Sequence, residues 1–217
     1  RDVERSRGLG DVYKRQGFSV PIIILAITMG LIVIQPDFSS AAMIGLIGFM
    51  MLFIGGAKIS HLMATGAVSL MVLTPIMLMK PYRLQRVLTF FYGESAGVQE
   101  SYQIKQSLIS LGNGGFLGLG LGNSLGKNLF LPTPHTDFIF AILSEELGFF
   151  WVCALVALFG VFIWRGFWIA WHAQDEFGKY LALGCTSVLS LQVTINLFVV
   201  SGMLPTKGMP LPFISAG

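Results

Sequence analysis

Residues 131–148 read LPTPHTDFIFAILSEELG, and this stretch decides how the chain folds. Asp137 stands at the mouth of an apolar run, with Glu145 and Glu146 in its upper turns, in what is otherwise a helix able to cross a bilayer. An Asp at the centre of a membrane helix costs roughly 2.5–3.5 kcal/mol on insertion scales, so such groups face a polar interior, find a partner or lie near the interface. Asp137 is therefore the first candidate for a functional centre. Its alternative role is that of N-cap, its oxygens accepting the first free amides of the helix that follows. Neighbours on a helix lie about 100° apart, so Glu145 and Glu146 cannot face the same way. Asp137 and Glu145 have similar azimuths and are separated by roughly 12 Å of rise, which predicts one wall carrying acids at two depths.

Working outward, composition gives the class. The chain has 217 residues, 54% hydrophobic and 12% charged, with a mean hydropathy of +0.73. Its apolar residues come in long runs, which predicts an all-α, polytopic transmembrane helical bundle rather than a soluble domain. The net charge of +3 and the pI near 9.0 suit anionic lipid head groups or phosphorylated substrates and give no reason to invoke nucleic acid. Cys153 and Cys185 lie inside apolar runs and read as buried thiols.

Residues 1–16 (RDVERSRGLGDVYKRQ) are charged and lack periodicity, and they read as a leader foreign to the rest. Five spans follow, at about 17–34, 40–54, 61–79, 138–163 and 178–200, each near the length that crosses the hydrocarbon. The turn Gln35-Pro36-Asp37-Phe38 separates the first two, with Asp37 and the serines after it able to cap the second. Pro75 sits near the far end of the third and predicts a kink. The fifth span carries Thr186, Ser187, Gln192, Thr194 and Asn196, predicted to hydrogen-bond between helices. Between the fourth and fifth, residues 164–172 (WRGFWIAWH) form the aromatic and basic belt expected where a helix leaves the bilayer.

Residues 80–136 form a connection of about 55 residues, far beyond an ordinary loop and so expected to carry function. Within it Leu84, Val87, Leu88 and Phe91 recur at helical spacing, with Arg83 and Arg86 off the stripe, which reads as an interfacial helix. Residues 102–111 repeat the idea with Ile104, Leu108 and Leu111 apolar and Lys105 polar. Residues 112–126 (GNGGFLGLGLGNSLG) favour tight turns and close backbone approach. They do not make a phosphate loop, because Gly122 and Gly126 enclose three residues and Lys127 is followed by Asn128. A structural, turn-rich loop is the main reading, with a phosphate or sugar contact through amides and Lys127 as the alternative. The short loops, with Lys58, Arg165 and Lys179 on one face, favour the long loop outside.

Four motifs in order now carry a resemblance: QPDF at 35–38, the glycine segment at 109–122, HTDFIFA at 135–141 with SEELG at 144–148, and residues 202–215. From residue 17 onward the chain resembles the FtsW/RodA/SpoVE family of bacterial shape, elongation, division and sporulation proteins. The LPTKG at 204–208 is closer to the FtsW branch. Two positions depart from the family pattern: Ser39 follows the aromatic where a glycine is usual, and the end reads Ile214-Ser215-Ala216-Gly217 in place of Ser-Tyr-Gly-Gly. The family has about ten spans, of which this sequence would supply the fifth to the ninth.

The resemblance implies a peptidoglycan glycosyltransferase that polymerises lipid II into glycan strands on the outer face of the bacterial cytoplasmic (inner) membrane. It implies as partners lipid II and the growing lipid-linked glycan, a class B penicillin-binding protein and other divisome proteins. A lipid II flippase and a non-catalytic scaffold of the division machinery are the rival functions. Asp137 matches the family's essential aspartate and would be the general base, with Arg83, Arg86, Lys127 and Lys207 as candidates for the pyrophosphates. His135 is either a hydrogen-bonding group beside the hinge or a substrate contact. Glu145 and Glu146 either face the substrate cavity or pair structurally with a cation from the long loop. A divalent cation, Mg or Mn, held by Asp137 with His135 is compatible with this set, although the ligand spacing does not call for one.

Overall fold

Proline, glycine and aspartate punctuate the apolar runs, and helices form between them. The computed structural model describes residues 2–35, 37–78, 98–124, 137–205 and 208–215, and among these every regular element is a helix. In chain order they are α1 (Asp2–Ile34), α2 (Phe38–Ile54), α3 (Ile59–Leu78), α4 (Val98–Asn113), α5 (Ile139–His172) and α6 (Glu176–Val200). They fall into two units, Arg1–Ile76 and Met77–Gly217.

In the first unit α1 is one helix from Asp2, whereas the sequence pattern divides leader from span after Gln16. A lone glycine such as Gly17 costs a helix only about 1 kcal/mol, too little to end it. α2 starts where its cap predicts: Asp37 Oδ1 accepts from the Ser40 amide at 3.0 Å and Oδ2 from the Ser40 hydroxyl at 2.5 Å. Gly45 and Gly48 of α2 leave room for Met29 and Leu25 of α1, which a Cβ at either glycine would strike. α3 keeps Pro75 inside it, and the neighbouring Thr74 hydroxyl bonds the Leu70 carbonyl at 2.7 Å. Such a hydroxyl supports the turn from which the proline ring removes an amide.

In the second unit α5 packs along α6, and α4 lies against both. Phe138, Phe140, Ala141, Ile142, Val152, Phe159, Val193, Val200 and Leu211 form the core. Farther along, Gly166 of α5 admits Thr186 of α6 so closely that a Cβ would fall on the threonine hydroxyl, the small-residue contact typical of membrane helices. α4 differs from the predicted pattern. Its buried face is Ser107 and Ser110, while Leu108 is exposed. The reason is the end of α6: Ser107 donates its hydroxyl to the Val200 carbonyl at 2.7 Å, supplying one of the last carbonyls that a helix cannot bond itself.

Among the described residues, the outer surface of α5 and α6 is largely apolar. Phe149, Phe150, Trp151, Leu158, Val161 and Trp164 of α5 all lie exposed, as the side chains of a helix solvated by lipid do. α5 and α6 are long and apolar enough to cross a membrane, and Phe18–Ile34, Phe38–Ile54 and Ile59–Pro75 are shorter apolar helices. Cys153 and Cys185 are exposed on this outer surface, correcting the expectation of burial, because both sit on helix faces turned away from the core. At the end of α5 the Arg165 guanidinium lies 4.9 Å from the Trp168 ring centroid. The Trp168 ring stacks 4.3 Å from that of His172, which makes an interfacial belt.

Candidate functional site

The site grows from a break in α5. Gly148 sits at φ 81°, ψ 175°, non-helical values that only glycine adopts without strain, so α5 is a half-helix up to Leu147 and a long helix from Phe149. At 1.5 Å per residue the two parts are roughly 13 and 36 Å long. A break strands carbonyls before it and amides after it, and in lipid each must be satisfied within the protein.

The glycine segment performs that task. The Leu119 amide bonds the Glu145 carbonyl at 3.0 Å and the Gly120 amide bonds that of Glu146 at 3.0 Å. In return the Phe149 amide bonds the Gly115 carbonyl at 2.9 Å and the Phe150 amide that of Phe116 at 3.4 Å. Such ribbon-like pairing demands contact between backbones. A Cβ at Gly114 would land on the Ser144 carbonyl oxygen, and one at Gly118 on that of Glu146. The turn-rich loop of the sequence reading is therefore a backbone splint for the broken helix. The alternative reading, an anion contact through exposed amides, loses the amides of Leu119 and Gly120 to this pairing.

The two glutamates follow from the same splint. Glu145 is 0% exposed, and its Oε2 accepts from the Ser124 hydroxyl at 2.5 Å. Glu146 is 8% exposed, and among the described residues its Oε1 has no hydrogen-bond partner. Asp137 stands just ahead of the half-helix and Glu145 near its far end, where the Ser124 hydroxyl meets its carboxylate.

Asp137 lies in the turn that leads into α5. The N-cap of α5 is Phe138, which makes no side-chain cap bond; its carbonyl takes the amides of Ala141 at 3.0 Å and Ile142 at 3.3 Å. By contrast the N-caps of α2 and α6 are aspartates, Asp37 and Asp175, each accepting the amide three residues on. Asp137 is half-buried. Its backbone carbonyl accepts from the Asn196 amide nitrogen at 3.1 Å, and the same nitrogen donates to the Met209 carbonyl at 2.7 Å. Gly208 therefore lies beside the carboxylate, where a Cβ would stand 3.2 Å from Asp137 Oδ2. The resulting site is a carboxylate at the edge of the core, bordered by the start of α5, the end of α6 and the 208–211 segment.

Asp137, Glu145 and Glu146 are thus in the described part of the chain, whereas Arg83, Arg86, Lys127, His135 and Lys207 lie outside the described residues, as does the predicted interfacial helix at 82–91. Among the described residues no three His, Cys, Asp or Glu side chains gather as a metal-ligand group. Asn196 and Gly208 border the site, although the sequence pattern assigns neither a role there, and it carries no sign that the helix breaks at Gly148. The available signals were the polar Asn196 in an apolar span and the glycine that comes just after Glu145, Glu146 and Leu147.

Comparison with known proteins gives the chain its relatives. It matches the family model FTSW_RODA_SPOVE, described as cell cycle protein, over residues 11–217, beginning within the 1–16 segment. It is 39% identical over 203 residues to the stage V sporulation protein E of Bacillus subtilis, covering 94% of this chain and 56% of that protein. It is 43% identical over 206 residues to a probable peptidoglycan glycosyltransferase FtsW of Thioalkalivibrio sp., covering 93% and 51%. The chain spans about half the length of these curated relatives. Among solved structures it is similar to a chain from a peptidoglycan synthase complex that coordinates polymerization and crosslinking, with TM-score 0.68 and 27% identity over 92% of this chain and 56% of that one. A mutant of the Thermus thermophilus rod shape determining protein RodA shares the fold, with TM-score 0.58 and 24% identity over 93% of this chain and 51% of that one.

Proposed function

The chain belongs to the FtsW/RodA/SpoVE family of cell cycle proteins, and on that premise we propose that it is part of a peptidoglycan glycosyltransferase that polymerises lipid II. A relative 43% identical bears the name probable peptidoglycan glycosyltransferase, and a similar fold occurs in a peptidoglycan synthase complex. The protein sits in the bacterial inner membrane with residues 80–136 outside, and it works beside a class B penicillin-binding protein and other divisome proteins.

The observation that carries the reading is the position of Asp137. A half-buried carboxylate stands one residue ahead of a helix whose N-cap is another residue, in a turn fixed by Asn196. In the reaction, Asp137 takes the proton of the acceptor sugar hydroxyl. The freed oxygen attacks the donor's anomeric carbon, and the bond from that carbon to the pyrophosphate oxygen breaks. The lipid pyrophosphate leaves with the electron pair. A single displacement of this kind inverts the anomeric centre, as it does in inverting glycosidases. Arg83, Arg86, Lys127 and Lys207 are the cations that hold the pyrophosphates, where charge builds as the bond breaks. His135 is the candidate contact to the acceptor sugar.

Full-length protein with its penicillin-binding partner, supplied with labelled lipid II, tests the reading. Glycan ladders support it. Movement of lipid II across the bilayer without ladders would mean a flippase, and neither outcome would mean a scaffold.

A further inference from the structure

We infer that Asn196 and Gly208 are positioning residues for Asp137: Asn196 pins the Asp137 turn to the 208–211 segment, and Gly208 sets where the carboxylate stands. The inference rests on Asp137 being the general base.

The side chain of Asn196 is 2% exposed and sits near the end of α6. Both of its close partners are carbonyl oxygens, those of Asp137 and Met209. An amide oxygen turned toward two carbonyls would repel both, so the nitrogen must face them and its two hydrogens are fully committed. One side chain therefore joins two segments that the sequence separates by 59 and 13 residues from it. Met209 and Leu211 are buried, which anchors the far side of the clamp in the core.

Gly208 follows from that clamp. Drawn in beside Met209, it faces the carboxylate directly, and a Cβ there would press on Oδ2 at 3.2 Å, tighter than ordinary contact. Its φ is not in the left-handed region, so the backbone itself accepts alanine. Gly208 is also exposed, and among the described residues the nearest atoms to an added methyl are those of the carboxylate. Any methyl there moves the carboxylate or takes the space in which the acceptor hydroxyl must approach.

The test uses full-length protein with its partner and labelled lipid II, measuring kcat, KM and the thermal midpoint for Gly208→Ala, Asn196→Leu, Asn196→Gln and Asp137→Asn. A misplacement of about 1 Å at a reacting group costs on the order of 100-fold in rate. Gly208→Ala is expected to lower kcat about 10- to 100-fold with KM within about twofold and the thermal midpoint unchanged. Asn196→Leu, which removes both donors, is expected to lower kcat at least as far, and Asn196→Gln, which retains them, to recover part of it. Wild-type kcat in Gly208→Ala would overturn the inference even if the Asn196 variants fail to fold. Equal kcat losses in Leu and Gln that track the thermal midpoint would likewise reduce Asn196 to a structural residue. If Asp137→Asn is inactive while Gly208→Ala and Asn196→Gln keep wild-type kcat, only the positioning falls; if Asp137→Asn is active, the general base itself falls.

Discussion

The Ser124 hydroxyl donates to Glu145 Oε2 at 2.5 Å, tying the far end of the glycine segment to the last turn before the break in α5. The same turn is held a second time through its backbone, by the bond from the Leu119 amide to the Glu145 carbonyl. Glu145 is thus gripped through both its side chain and its backbone by one segment.

That relationship separates two roles by mutation. Ser124→Ala removes a hydrogen bond from a buried acceptor and is expected to destabilise the protein by about 1–3 kcal/mol, read as a lower thermal midpoint. Glu145→Gln keeps the size of the side chain and a hydrogen-bonding match for Ser124, so it is expected to be milder and to leave kcat within about threefold of wild type. A Glu145→Gln protein of unchanged stability that has lost polymerisation would return Glu145 to the substrate cavity.

A pair of glycines on α5 tests the splint. Gly148→Ala places a Cβ on the Gly118 amide nitrogen and holds alanine at φ 81°. The backbone strain alone costs of order 1–3 kcal/mol, before the clash is counted. Gly160→Ala, on the same helix with open space around it, is expected to be neutral or to stabilise by about 0.5–1 kcal/mol. Thermal melting of both variants in one detergent checks the contrast, and similar behaviour of the two would contradict the broken helix.

The cations of the long loop give a kinetic prediction. Arg83→Ala or Arg86→Ala is expected to raise KM for lipid II about tenfold, corresponding to about 1.4 kcal/mol, with kcat near wild type, because a cation on the pyrophosphate mainly holds substrate. Unchanged kinetics in both variants would leave these arginines as lipid-surface residues.

How much of this was legible in the sequence depended on how local each cause is. Asp37 read correctly as a cap because its partner is Ser40, three residues on, and the proline turn before it is a local signal. The helical class followed from composition alone. Asp137 was ambiguous because an aspartate before a helix can be either cap or reactive group, and the structure adds that the N-cap position itself is Phe138. The break at Gly148 stayed hidden because apolar residues continue through Phe149, Phe150 and Trp151 as though the helix did. Its cause is the splint at residues 115–120, some thirty positions earlier by rough count, and no helical period carries such a partner. Asn196 was read as a bond between helices. Its partners are two loop carbonyls, which nothing nearby in the chain announces.

The central claim is that Asp137 is the base, and one substitution tests it most directly. Asn is about as good an N-cap as Asp and nearly its size, yet it cannot take up a proton at neutral pH. In the full-length protein with its partner, Asp137→Asn is expected to insert normally, bind the penicillin-binding protein as wild type does, and lose lipid II polymerisation by roughly 100- to 10,000-fold, the usual contribution of a positioned base. Asp137→Glu is expected to restore only part of the rate, since the longer arm misplaces the carboxylate. Polymerisation by Asp137→Asn at near wild-type rate would contradict the account.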